Sequence, residues 1–415
     1  MKRANLTITI TLLLIASTAT AQNAITDWNN IGITAARAST APGSATAGGT
    51  GIYMAYVHLA AYNAVNAVDG GFQPYKYALP AMPDASADAA AIEASYRTLL
   101  YLLPDQAAFL TAQYNNSLAA IPDGDAKTKG QMLGLASANA LIVLRANDGR
   151  GASVPYSFPS VPTPGVWILT PGATTPQAPW VGQMRPFTFD DPARFLPEPP
   201  PDLGSDTWAR DYNEVKSFGE LNSAVRTPEQ TQQGRFWLDH GASQYGRMLR
   251  AMAAQRQLNL PDTARLFAMS YAAYADGFIG CMNAKYTYSF WRPVTAIQNG
   301  DIDGNPDTID DPNWFPLVTT PNHPEYPSAH GCVTGALAET MAAYFGTRRL
   351  PISVDSAITS TTSHFDNISQ WQKEVGNARI YAGFHYRFSV QQGLILGHKV
   401  AHNLVAHYFR PVHGQ

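Results

Sequence analysis

The sequence predicts a mainly α-helical fold with bundle packing. Ala-rich segments with apolar residues at three-to-four spacing recur along the chain. The two-residue alternation that half-buried strands need is scarce. A Pro-rich interval near the middle adds a long ordered loop to this picture.

Residues 51–68 (GIYMAYVHLAAYNAVNAV) read as the first long helix, stopped by Asp69-Gly70-Gly71. Residues 84–103 and 104–121 read as two more, divided at Pro104, because the residue before a proline avoids helical geometry. Residues 125–147 form another, closed by Asp148-Gly149. Between 154 and 203 proline is too frequent for a helix of ordinary length. Trp167, Trp180 and Pro199-Pro200-Pro201 lie there, and so many aromatics suit an ordered loop shaping a site entrance better than a flexible tether.

Thr227-Pro228-Glu229-Gln230 supplies an N-cap, a proline at the first helical position and the Gln of a capping box. Residues 263–291 and 328–344 are helical, and helix continues from about 370 nearly to the C-terminus. The resulting division is a signal peptide (1–21), an N-terminal helical region (22–152), the Pro-rich loop (153–204) and a C-terminal helical region (205–415).

The signal peptide rests on Lys2 and Arg3, an apolar run over 6–15 and Ala19-Thr20-Ala21, with cleavage expected after Ala21. The mature chain is therefore expected in the periplasm or outside the cell. The apolar run is too short to span a bilayer comfortably, and no later segment qualifies. A net charge of -3 gives no argument for nucleic acid or an anionic membrane surface. The 45% apolar content argues against wholesale disorder. Export permits a disulfide, and a Cys281–Cys332 bridge would tie two of the motifs below together. The alternative is two buried thiols. Oligomeric state is left open, a homo-oligomer included.

Three stretches carry the chemistry. Lys285 and Arg292 are seven residues apart, close to two helical turns, and Pro293 ends the helix at Arg292. Pro327-Ser328-Ala329-His330 opens a helix whose free amides seat an anion, with the Ala329 N–H the favoured donor. His330 is placed for acid–base work near neutral pH. Arg379 and His385, six apart, share a ligand only if the helix opens between them, and Gly383 allows that. Ser389 is placed to hydrogen-bond the far ring nitrogen of His385. Taken singly, each stretch also reads as ordinary structure. Taken together, they suit a tetrahedral or trigonal-bipyramidal oxyanion held by charge-assisted hydrogen bonds.

Other candidates are weaker. His398 and His402 have the spacing of a helical metal pair but lack a third ligand, and His58 reads as a hydrogen-bonded core residue. Asp239 and Glu374 are the carboxylates considered as partners of Arg379.

The order of these motifs resembles the superfamily of vanadium-dependent haloperoxidases and type-2 phosphatidic acid phosphatases. Its signature is Lys, six residues, Arg-Pro; then Pro-Ser-Gly-His; then Ser-Arg, three residues, Gly, one residue, His, three residues, Asp. Lys285, Arg292, Pro293, Pro327, Ser328, His330, Arg379, Gly383 and His385 match it. Ala329 replaces the usual Gly, Ala378 a Ser, and Ser389 the Asp. The N-terminal half, VHLAAYNAVNAVDGGFQPY and the segment with Trp167 and Trp180, also resembles secreted bacterial haloperoxidase-like proteins.

The resemblance implies the superfamily's helical bundle and a vanadate cofactor, with phosphate able to take the same seat. His385 would be the metal ligand. Lys285, Arg292, Arg379, Ser328 and the Ala329 amide would hold the equatorial oxygens, and His330 would handle peroxide protons. Hydrogen peroxide and a halide would be the reactants, hypohalous acid the product and a small organic molecule its acceptor. His323 occupies a position where chloroperoxidases usually carry an aromatic and bromoperoxidases a His, which favours bromide or iodide. An acid phosphatase with His385 as nucleophile is the second reading, and Ser389 counts against it because it lacks the charge of Asp. A non-catalytic exported oxyanion binder is the third.

Overall fold

Helices from both halves of the described chain frame one of its cavities. The computed structural model describes residues 23–412; the expected signal peptide and its cleavage point lie outside them. The described residues contain thirteen α-helices: α1 (Ala24–Ala38), α2 (Ala47–Asp69), α3 (Ala87–Leu102), α4 (Ala107–Ala119), α5 (Asp125–Leu144), α6 (Asp206–Gly219), α7 (Pro228–Phe236), α8 (Gly241–Gln255), α9 (Leu260–Tyr288), α10 (Pro293–Gln298), α11 (Ala329–Phe345), α12 (Ile368–Tyr381) and α13 (Arg387–His407). One antiparallel hairpin, β1 (Ile352–Ser356) with β2 (Thr361–Phe365), pairs Ile352 with Phe365 and Ser356 with Thr361. No described helix is long and apolar enough to cross a membrane.

Local chemistry explains the boundaries. Thr46 caps α2 by accepting from Gly49 N, and α2 stops at Gly70. The capping box expected at Thr227 and Gln230 is present on α7. The helix expected over 263–291 instead ends at Tyr288, because Ser289 turns left-handed (φ 47°) and its hydroxyl takes a hydrogen bond from Tyr156. The helix expected without a break from about 370 is two. Gly383 adopts φ 77°, and a Cβ there would meet Gly219 O and Pro316 Cβ, each at 2.7 Å. The chain leaves α12, passes through that tight spot and restarts at Arg387.

The core is a helical bundle centred on α9, which packs on α2, α11 and α13. Helices α11 and α13 cross with almost no side chain between them: a Cβ at Gly397 would fall 2.3 Å from Cys332 O. A second core of aromatics joins Trp208, Phe290, Trp291, Tyr386 and Phe388. Trp208 stacks on Trp291 at 5.9 Å and meets Tyr386 edge-on at 4.9 Å. Arg292 follows Trp291 and His385 precedes Tyr386, so this cluster fixes both backbones. The segment 154–203 is loop apart from a 3₁₀ turn at Pro179–Gln183, and it buries Trp167, Trp180 and Phe187. It is stitched to the bundle by Trp167 N–H to Ser289 O (2.7 Å) and Gln177 N–H to Asn322 O (2.8 Å).

Candidate active site

Lys285 lies in the last turn of α9, fully buried, and its ammonium donates to Pro324 O (2.9 Å) and Glu325 O (2.7 Å). Arg292 is extended, as Pro293 requires, and is also fully buried. Its Nε donates to His323 O (2.9 Å), its Nη1 to Phe384 O (3.0 Å), and Nη1 also stands 3.4 Å from His385 Nε2. Ser328 sits at the N-cap position of α11, yet its buried hydroxyl caps nothing and has no protein partner. Arg379, in the last turn of α12, donates from Nη1 to Trp237 O (2.9 Å) and lies over the Phe384 ring, while its Nε is buried without a partner. His385 occupies the break between α12 and α13; its Nδ1 is 2.7 Å from Glu325 Oε1.

Residues from all three motifs thus meet, although Arg379 and His385 are brought round by the helix break rather than by helical spacing. His323, Ala329, His330, Arg379 and His385 line one end of a cavity of about 190 Å³. Tyr245, Tyr274, Phe278, Met282 and Val333 form its apolar wall, and Gln177 and Ala178 of the Pro-rich loop complete it.

Positive charge is under-compensated here. Burial lowers Lys285 to about 8, Arg292 to about 10 and Arg379 to about 9. Burial also holds His330 and His385 well below the ordinary imidazole value; Arg379 then Lys285 reinforce this at His330, and Arg292, Lys285 and Arg379 at His385. Both rings are therefore neutral at neutral pH. Burial pushes Glu325, the carboxyl nearest this cluster, up to about 7. Three buried cations, a buried hydroxyl without a partner and a free guanidinium N–H together match what an oxyanion's oxygens require. The residues present fit vanadate or phosphate.

Residues 265–414 match the family model described as VCPO second helical-bundle domain. Vanadium chloroperoxidase of Curvularia inaequalis is 25% identical, with 66% of this chain and 59% of that protein covered, so the chain spans less than two thirds of this relative's length. The crystal structure of the first bacterial vanadium-dependent iodoperoxidase superposes with a TM-score of 0.78 at 22% identity, covering 93% of this chain and 96% of the other. All three motifs fall within the matched span 265–414, and the chain shares the fold of the bacterial vanadium-dependent haloperoxidases. The holo-type bacterial vanadium-dependent chloroperoxidase shares the fold at TM-score 0.68 and 18% identity, with 94% of each chain covered.

Several sequence expectations need correction. Where the superfamily pattern has Asp, Ser389 does not take the far nitrogen of His385; Glu325 does, and Ser389 lies against the Glu325 carboxyl. Sequence reading missed Glu325 altogether. The available signal was a lone acid between two prolines in His323-Pro324-Glu325-Tyr326-Pro327, in a chain lacking the usual Asp. Neither Asp239 nor Glu374 reaches Arg379: Asp239 pairs with Arg247 (2.5 Å), and Glu374 accepts from Trp237 Nε1 (3.2 Å). Cys281 and Cys332 are free, fully buried thiols, not a disulfide; the Cys281 thiol is turned toward Pro327 O (3.5 Å). His398 contacts Gln372 (3.1 Å) and Glu339 (3.5 Å), and no group of three or more His, Cys, Asp or Glu able to hold a metal occurs among the described residues. His58, as expected of a core residue, is buried and lies 2.9 Å from Asn29 Nδ2.

Proposed function

We propose that this chain is a vanadate-dependent haloperoxidase that oxidises bromide or iodide with hydrogen peroxide to hypohalous acid, which then meets a small organic acceptor. The observation that carries the reading is the excess of buried cation around Ser328 Oγ and Arg379 Nε, two donors left without a protein partner. Bound vanadate would supply Lewis-acid activation of the peroxide. Lys285, Arg292 and Arg379 would neutralise the oxygens, with the Ser328 hydroxyl and the Ala329 amide as further donors. Neutral His385 offers Nε2 as a ligand atom. Neutral His330, facing the cavity, can accept a peroxide proton and return it to a leaving oxygen. His323 lies with Nδ1 2.9 Å from Arg292 Nη2, so the halide preference is read at the edge of the cationic cluster.

The second reading, phosphomonoester hydrolysis with His385 as nucleophile, gains support from Glu325, which supplies the carboxylate that Ser389 lacks. One assay set separates the readings. Protein reconstituted with orthovanadate receives peroxide, bromide or iodide, and a halogen acceptor; vanadate-free protein receives a phosphomonoester. Halogenation lost in His385→Ala supports the first reading, ester turnover alone the second, and neither activity a non-catalytic binder. Export is proposed on the signal sequence, and N-terminal sequencing of secreted or periplasmic protein should begin at Gln22.

A further inference from the structure

We infer that Glu325 is the positioning residue for His385, standing in from a different segment for the aspartate that the superfamily pattern places at 389. The inference rests on the oxyanion-site reading, not on which chemistry follows there.

Two contacts set the imidazole from opposite sides. Glu325 Oε1 lies 2.7 Å from Nδ1 and can only accept from it while ionised. Arg292 Nη1 lies 3.4 Å from Nε2 and can only donate. Both demand the same neutral tautomer, with hydrogen on Nδ1 and a lone pair on Nε2, the nitrogen turned toward the cations. The carboxyl is itself held. Oε1 also accepts the Tyr386 amide (3.2 Å), and Lys285 grips the Glu325 backbone carbonyl (2.7 Å). Glu325 is fully buried, and its second oxygen, Oε2, has no protein partner. Ser389, also fully buried, lies beside this carboxyl. A carboxylate placed at 389 would therefore enter the same neighbourhood from α13, which makes relocation of the charge testable.

The test uses the full chain, metal-free, and three variants: Glu325→Gln, Glu325→Asp, and Glu325→Gln combined with Ser389→Asp. Orthovanadate and inorganic phosphate are titrated separately, and the His385 ring nitrogens are followed by ¹⁵N NMR. Glu325→Gln should weaken orthovanadate binding about 10- to 100-fold, the usual cost of losing an outer partner of a ligand histidine, with phosphate, which forms no bond to the ring, less affected. It should also shift the His385 Nδ1 resonance, because a neutral carboxamide accepts more weakly than a carboxylate even while Arg292 still holds the tautomer. Adding Ser389→Asp should move that resonance back and restore at least half of the lost affinity on a logarithmic scale. Unchanged binding and an unchanged ¹⁵N pattern in Glu325→Gln would overturn the inference. So would failure of a folded double variant to recover either readout. If Glu325→Gln does not fold, Glu325→Asp decides: an unaltered His385 pattern and affinity with the shorter acid would refute a positional role. Absence of halide oxidation in every protein, with these shifts present, would count against the proposed function and leave the inference standing.

Discussion

Oxyanion binding should stabilise the metal-free protein, and Lys285→Met should blunt that stabilisation without unfolding the chain. Holding the buried Lys285 ammonium charged at pH 7, with its pKa near 8 instead of 10.5, costs about 3 kcal/mol. Methionine removes that cost but abandons two carbonyls, Pro324 O and Glu325 O, at roughly 1 to 2 kcal/mol each. The two effects nearly cancel, so the variant should match the parent within about 1 kcal/mol. An anion at one hundred times its dissociation constant contributes about 2.7 kcal/mol. For the described span 23–412 the unfolding entropy is about 0.8 kcal/mol per kelvin, so phosphate or vanadate should raise Tm by about 3 °C. Loss of one charge-assisted contact weakens binding about 10- to 100-fold, leaving Lys285→Met a shift below about 2 °C at the same concentration. The pH sign follows from the lowered pKa. The penalty is present below about 8 and is relieved as pH rises toward 10.5, so the anion-free parent should gain on Lys285→Met across that window. Calorimetry checks each point. No anion-dependent shift in the parent, or an equal shift in Lys285→Met, would refute the charge-imbalance argument.

Other outcomes follow from single residues. Burial lowers His58 to about 3, so its stability contribution is full above pH 6.5 and lost as pH falls toward 3; His58→Gln, which keeps an acceptor for Asn29, should move the acid-unfolding midpoint to lower pH. Thiol titration should find no reactive cysteine in the native protein and two after denaturation without reductant; finding none after denaturation would restore the disulfide. Ala329→Gly keeps the amide donor and should change phosphate affinity, read by isothermal titration, less than tenfold.

The sequence carried the helical stretches and the oxyanion donors because both are written in short, local patterns: spacing, caps, and prolines that stop helices. Thr227 to Gln230 illustrates this, since every group of that capping box lies within four residues. Glu325 was not legible, because its meaning depends on a ring sixty residues away in sequence. The break at Gly383 was only half legible. Its glycine could be read as permissive, but the reason for the break is Pro316 and Gly219 pressing on that point. The β1–β2 hairpin escaped notice for a different reason: β2 is mostly exposed and polar, with only Phe365 buried, so it shows no apolar alternation.

The near-bare crossing of α11 and α13 has a consequence for how such a catalyst can diversify. Backbone meets backbone there, so any side chain added at Gly393 or Gly397 would push the two helices apart and move His330 with α11. Change in the shape of the cavity falls instead to Gln177 and Ala178, which the Pro-rich loop contributes to its wall. Grafting that loop between relatives should change which small molecules fit the cavity while leaving phosphate affinity unaltered.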